Sequence, residues 1–280
     1  MRFLGIIVTL LMVIGCTKTG LDRAIEAKDM EKVKAILMTN TGVNTANMGL
    51  DSLLHLAVKT ENTEIAEFFI DMGADVKVKE YISSNDYNIS VLHTACLKDD
   101  LATVKMLVEN GAEVDAIDGK GRTPLFDACA VGNVNIVKYL FESGASIIYR
   151  EPVKGAYPIH EACYWDNTDV VKYLLGVGMN KNLKDFAGQT PFKYAVRGEN
   201  LDIIKMIVES GAEIDNQGLG GQSVFHGIED VEIGKYLVSI GLDPWMKDKN
   251  GSTALDIAVK AGNDEVAEYL RSIKPDGVEK

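Results

Sequence analysis

Histidine and cysteine are the side chains best suited to general-base, nucleophilic or metal chemistry near neutral pH, and this chain has four of each. The histidines are His55, His93, His160 and His226, and three of the cysteines, Cys96, Cys129 and Cys163, lie in the same body of sequence. His93 with Cys96, and His160 with Cys163, have the i,i+3 spacing that places two metal ligands on one face of a helix, half of a zinc site. A regularity argues against such chemistry. Each histidine stands three residues after Ser52, Ser90, Tyr157 or Ser223, and each of the three cysteines stands six residues after Ser90, Thr123 or Tyr157. Residues that recur at one position of a repeated unit are placed by the unit. The expectation is therefore structural histidines and a column of small buried thiols, with no metal and no cofactor. Equivalent positions in stacked helices lie about 10 Å apart, beyond the roughly 7 Å between Cα atoms that a disulfide tolerates. No Gly-x-Ser-x-Gly elbow occurs, and Gly218-Leu219-Gly220-Gly221 reads as a flexible turn rather than a phosphate cradle. Carboxylates abound without a distinguishable pair, so no catalytic residue is assigned and no enzyme activity is expected.

The unit that places these residues is clearest in Gly121–Ala145. Thr123 can cap a helix whose first position is Pro124, where a missing N–H costs nothing, and Leu125, Ala128 and Cys129 then share one face. Gly132 and Asn133 break that helix. Val134, Ile136, Val137, Leu140 and Phe141 recur at helical spacing until Gly144 supplies a left-handed stop. Two helices of roughly ten residues, each apolar on one side, have too little to bury alone and require neighbours. The Thr-Pro-Leu slot returns at Ser52, Ser90, Tyr157, Thr190, Ser223 and Thr253, with a degenerate first copy near Thr19 that has Leu21 and Ala24 in its apolar slots. Successive starts are separated by 33, 38, 33, 34, 33, 33 and 30 residues.

The period and the strings SLLHLA, SVLHTA, TPLFDA, YPIHEA and TPFKYA resemble the ankyrin repeat, with its T-P-L-H-x-A pattern, over about residues 19 to 272. The resemblance implies an all-α solenoid of about eight helix-turn-helix units joined by β-hairpin fingers. It also implies histidines that hydrogen-bond neighbouring backbone, and protein binding through the fingertips and the concave face of the first helices. Eight units stacked about 8–10 Å apart predict a curved rod roughly 80 Å long. The charged first unit, Leu21–Asn40, and the last one read as polar caps, and Pro275-Asp276-Gly277 ends the final helix. Three places depart from the period. The finger Lys77–Ile89 is long and carries Tyr81 and Tyr87; the segment Ile148–Ala156 carries Tyr149, Arg150 and Lys154. The unit near Gly227–Glu232 is short by about three residues where its helices should meet, so its first helix should be short or distorted.

Hydrophobic residues make up 46% of the chain, ample for a continuous core, and the net charge is −12. Such a surface repels phosphate backbones and anionic headgroups, which argues against nucleic acid as a partner. Met1–Gly15 carries one charge, Arg2, and then a nearly unbroken apolar run from Phe3 to Ile14. The run falls short of the roughly 20 residues that span a bilayer and reads as a secretory signal. It ends in Val13-Ile14-Gly15-Cys16, which resembles the lipobox of bacterial lipoproteins. That resemblance implies cleavage before Cys16, which becomes the lipidated N-terminus; an ordinary signal peptide with an incidental Cys16 is the alternative. The expected division is 1–15 leader, 16–20 lipidated N-terminus and short tether, 21–272 repeat domain and 273–280 tail. Thr17 after the cysteine favours the outer membrane, facing the periplasm, under the enterobacterial sorting rule.

Positions seven and eight after each start fall at the end of the first helix, open to the concave side. Lys98, Tyr164, Trp165 and Arg197 are the candidates there, with Tyr164-Trp165 as the energetic anchor. Tyr81, Tyr87, Tyr149 and Arg150 join them from the fingers. Packing of Trp165 onto the neighbouring repeat is the competing reading. The sequence thus describes a non-catalytic, monomeric scaffold of the bacterial cell envelope, lipid-anchored through Cys16 and binding another protein. Narrower alternatives are an immunity or inhibitor protein against an envelope-acting toxin, and a stress-protection factor for an envelope enzyme such as a catalase.

Overall fold

The computed structural model describes residues 20–39, 49–82, 87–216 and 222–273; the leader, Cys16 and the tail beyond 273 lie outside them. The chain divides into two compact units, with the boundary between Glu113 and Val114. In the first unit, α1 (Gly20–Glu26) packs on α2 (Met30–Thr39), α3 (Leu50–Lys59) on α4 (Thr63–Asp71), and α5 (Val91–Leu97) on α6 (Leu101–Glu109). The first helices α1, α3 and α5 stack in order, and α4 lies against α6. Between α4 and α5, β1 (Lys79–Ile82) and β2 (Tyr87–Ser90) pair antiparallel, Lys79 opposite Ser90 and Ile82 opposite Tyr87. Tyr81 and Tyr87 are thus on the long finger, but their side chains lie outside the described residues.

The second unit repeats the scheme with α7 (Pro124–Val131) and α8 (Val134–Glu142), α9 (Pro158–Tyr164) and α10 (Thr168–Gly176), and α11 (Pro191–Arg197) and α12 (Leu201–Glu209). Then come α13 (Val231–Ser239) and the final pair, α14 (Ala254–Ala261) and α15 (Asp264–Ser272). Here α7, α9 and α11 stack as one layer, while α8, α10 and α12 form the other. Leu125, Ile159, Phe192, Ile136, Val170 and Ile203 are wholly buried between the layers. Fingers regularise into paired strands only in the first unit among the described residues. In the second they are tight turns, such as the one closed where the Asp118 N–H donates to the Arg122 carbonyl at 2.9 Å.

Local chemistry sets the helix ends. The first helices start from extended backbone at Ser90, Thr123, Tyr157, Thr190 and Thr253, three of them with Pro at the first helical positions. Thr123 holds the N-cap position without a side-chain capping bond, Pro124 supplying the helical φ instead. The second helices are capped by Asn62, Asp100, Asn133, Asn200, Asp230 and Asn263, each accepting a backbone N–H two or three residues on. One place differs from the sequence expectation, and the shortened repeat meets it. The second repeat begins at Leu50 after a left-handed Gly49, so Ser52 sits inside the first turn, its N–H donating to the Gly49 carbonyl. In the shortened repeat the first helix contracts to one turn, Ser223–Gly227, and a cleft of about 450 Å³ opens between Phe225, Ile228, Ile257 and Ala261.

The link between the two helices of a pair needs a left-handed residue. Lys28, Glu61, Asp99, Asp166 and Glu199 take it at φ between 56° and 64°, and Gly132 takes it at φ 99°. Gly132 is also a close approach: a Cβ there would run into the carboxamide of Asn167, whose Nδ2 donates to the Cys129 and Ala130 carbonyls at 2.8 Å. Gly132→Ala should lower stability by about 2–4 kcal/mol, left-handed strain and the loss of both Asn167 bonds together. Asp166→Gly, at the equivalent link, should instead be neutral or stabilise by up to about 1 kcal/mol. Urea denaturation of the two variants checks both signs.

Candidate protein-binding surface

Three of the four histidines are bonded within the fold, and the fourth, His55, is buried. His160 Nδ1 accepts the Tyr157 N–H at 3.0 Å, which leaves the proton on Nε2, and Nε2 faces the carbonyls of Leu183 and Gln189 at 3.2 Å each. Those carbonyls flank the turn of the next finger. His226 repeats the arrangement, with Nδ1 on the Ser223 N–H at 3.0 Å and Nε2 on the Ser252 carbonyl at 2.9 Å. His93 engages Ser90 through Nδ1, at 2.7 Å from the hydroxyl. Burial lowers the His160 pKa, so the neutral ring is the stable form. Cys96, Cys129 and Cys163 are buried free thiols, and burial pushes the pKa of Cys129 and Cys163 upward, away from the nucleophilic thiolate. Among the described residues no three His, Cys, Asp or Glu side chains are grouped to hold a metal ion.

Where the slot lacks histidine, other side chains reach the same place. Phe126 meets Tyr149 of the next finger edge-on, with ring centres 6.2 Å apart. Lys193, buried, sends Nζ to Asp215 Oδ2 at 3.1 Å, again on the next finger. Tyr149, a candidate contact residue in the sequence, therefore has its ring on Phe126. Arg150 stacks 4.2 Å from the Phe186 ring centre and donates to the carbonyls of Gly155 and Lys184 at 3.1 Å each. Both residues join consecutive repeats.

The end of α9 is different. Trp165, the residue after α9, is 56% exposed and Tyr164 is 38% exposed. The indole N–H donates to Glu161 Oε2 at 3.1 Å, and the ring stands edge-on to Tyr164 at 5.2 Å. Tyr164 meets Tyr194 at 6.4 Å and Tyr194 meets His160 at 4.7 Å, both edge-on. Arg197 lies over Tyr164 and Tyr194, 5.7 and 5.8 Å from their centres. Gly198 permits this closeness: a Cβ there would come within 2.6 Å of the Tyr164 carbonyl. Tyr164, Trp165 and Arg197 are thus one aromatic ladder with a cation at its side, and Val131 is exposed at the matching position of the preceding repeat. Lys98 belongs to the first unit, where it pairs with Glu61 at 3.3 Å.

The family model for ankyrin repeats in three copies matches residues 77–151 and 148–218, and that for the single ankyrin repeat matches 50–81 and 250–276. The chain belongs to the ankyrin-repeat family. It is 29% identical over 91% of its length to an ankyrin repeat protein of fowlpox virus, of which it covers 42%. It is 25% identical over 88% of its length to the Escherichia coli ankyrin repeat protein YahD, of which it covers 92%. Among solved structures it resembles the human ASB11 ankyrin repeat domain, with a TM-score of 0.69 at 29% identity, over 80% of this chain and 99% of that one. Ankyrin repeats are a protein-interaction scaffold, and this ankyrin-repeat protein carries that scaffold. Sequence reasoning missed Tyr194 and Glu161, which brace the exposed pair, and the exposed Phe186; an aromatic inside the turn Asp185-Phe186-Ala187-Gly188 was the available signal for the last.

One buried acid titrates near neutrality. Burial raises the Asp127 pKa to about 7, against the opposing pull of the Arg122 guanidinium 3.1 Å away. Asp127 is 2% exposed, which keeps it from any substrate. A folded pKa above the unfolded value means that the native state holds the proton more tightly, so this group's contribution to stability falls as pH rises from about 4 to about 7. The unfolding free-energy difference between Asp127→Asn and wild type, from urea denaturation, should therefore be more favourable to the variant at pH 8 than at pH 5, by a few kcal/mol at most. Equal differences at the two pH values would overturn the assignment.

Proposed function

We propose that the protein is a non-catalytic, envelope-tethered scaffold that binds one protein partner through the Tyr164-Trp165 surface. The observation that carries this reading is the exposed indole at the end of α9, braced by Glu161 and by the ring ladder to Tyr194 and His160. A large aromatic held rigidly in solvent loses little conformational freedom when a partner covers it, which is the property of an interface anchor. The absence of catalysis follows from residue use: the bases and thiols best suited to chemistry are bonded to backbone or buried. Tethering is proposed from the Val13-Ile14-Gly15-Cys16 resemblance, in which acyl chains on Cys16 hold the protein at a bacterial membrane.

Within that class, an inhibitor of a basic envelope-acting protein is favoured by Glu161, Asp166 and Glu199 near the aromatic pair, which suit a cationic target. A pull-down from detergent-solubilised envelope tests the surface. Trp165→Ala should lose the captured partner, by tenfold or more if Trp165 contributes the 2 kcal/mol or so of a hot spot; equal recovery by both forms would sink the assignment. Tethering has its own test. Cys16→Ala should move the protein from the membrane to the soluble fraction, and unchanged fractionation would remove the lipid anchor from the proposal.

A further inference from the structure

Four fingers of the second unit turn an acid inward. Each turn is closed by a carboxylate turned inward: Asp118 accepts the N–H groups of Lys120 and Arg122, Glu151 those of Val153, Lys154 and Ala156, Asp185 those of Ala187 and Gln189, and Asp248 those of Asn250 and Ser252. All four acids are buried. What the consecutive fingers 148–156 and 184–188 present outward is apolar and cationic. Ile148, Val153 and Phe186 are 66%, 69% and 60% exposed, and Arg150, Lys154 and Lys184 are exposed beside them.

Arg150, Lys154, Lys184 and Phe186 meet between the two fingers, and Ile148 and Val153 lie on the same finger as Arg150 and Lys154. The Phe186 ring lies on Gly155, where a Cβ would come within 2.6 Å of it, and the Phe186 N–H donates to the Lys154 carbonyl at 2.8 Å. Arg150 ties the fingers together from its position over Phe186. Neither Lys154 nor Lys184 has a carboxylate partner among the described residues, and the nearby Asp115 accepts the Ser146 N–H at 3.1 Å.

Side chains about two-thirds exposed at the tips of turns protrude. A rigid partner would need a matching pit for each, whereas an interface that deforms admits them without one. We propose that these two fingers dock on an anionic lipid surface, with Ile148, Val153 and Phe186 entering the headgroup–acyl boundary and Arg150, Lys154 and Lys184 meeting the phosphates. The net charge of −12 does not oppose this, because charges beyond about 8 Å are screened at physiological salt and the local sign decides the contact. The inference is independent of the partner surface at α9 and of the anchor at Cys16.

The test is sedimentation of the full chain with vesicles of phosphatidylcholine alone and of equal parts phosphatidylcholine and phosphatidylglycerol. The leader, and any lipid on Cys16, contributes to every variant alike, so the readout is the preference for the anionic vesicles. At about five-fold per cation, the wild type should prefer them by tenfold or more, and salt should erode the preference. Lys154→Glu with Lys184→Glu should abolish it. Ile148→Ser with Val153→Ser should weaken binding to the anionic vesicles with an unchanged circular dichroism spectrum, since both side chains are exposed. Equal partition of the wild type, or a preference that survives both pairs of substitutions, would overturn the proposal. Binding to immobilised polyglutamate with none to vesicles would assign the patch to an acidic protein instead, and would also overturn it.

Discussion

In the second unit one side chain per repeat registers it on the next. It is the fourth residue from the repeat start, and in the second unit it reaches the base of the following finger at each step: Phe126 through Tyr149, His160 through the carbonyls of Leu183 and Gln189, Lys193 through Asp215, and His226 through the carbonyl of Ser252. The chemistry changes from ring contact to hydrogen bond to ion pair, while the span does not. At Asp256 the same position turns back on Thr253 instead, whose N–H and hydroxyl it accepts at 2.8 Å each. Apolar burial makes the helix pairs stack, but burial alone is non-directional. The fourth-position contact supplies direction, because a buried carbonyl or N–H left without its partner costs about 1–3 kcal/mol.

That constraint occupies side chains that are otherwise able to do chemistry. A histidine whose Nδ1 accepts backbone N–H and whose Nε2 faces two carbonyls has no lone pair left for a substrate proton. His226 makes the point most sharply. Its helix has contracted to a single turn, yet both ring nitrogens keep their contacts. The registering contact thus outlasts the helix that ordinarily presents it.

The helix pairs, their links and the histidine slot were legible because they are written with a period, and periodic errors average out over several copies. The Trp165 position was legible for the same reason, since it is a fixed offset from Tyr157. What was not legible depends on neighbours rather than offset. Tyr149 and Arg150 look like free fingertip residues in sequence, but Phe126 stands one repeat before them and Phe186 one repeat after, and those contacts decide their orientation. The slot at Ser52 does not reveal where its helix starts, because the left-handed Gly49 lets the helix begin at Leu50, two residues before it. Net charge concealed the largest feature. Counting acids says nothing of which ones turn inward, and Asp118, Glu151, Asp185 and Asp248 all do so to close their own turns.

Two surfaces of the second unit are linked through His160 and Tyr194. His160 stands 4.7 Å from Tyr194, which braces Tyr164 and through it Trp165, and the same ring faces the Leu183 and Gln189 carbonyls on either side of the turn carrying Phe186. Tyr194 adds a second link, its hydroxyl donating to Asp185 Oδ2 at 2.9 Å inside that turn. Asp185 in turn accepts the N–H groups of Ala187 and Gln189 and so fixes the loop from which Phe186 projects. A shift of the ladder at α9 and α11 therefore has a short path to the finger, through buried bonds whose geometry tolerates little displacement. The aromatic end of the first helices and the cationic fingertips are distinct in composition, yet a continuous chain of contacts through His160, Tyr194 and Asp185 joins them.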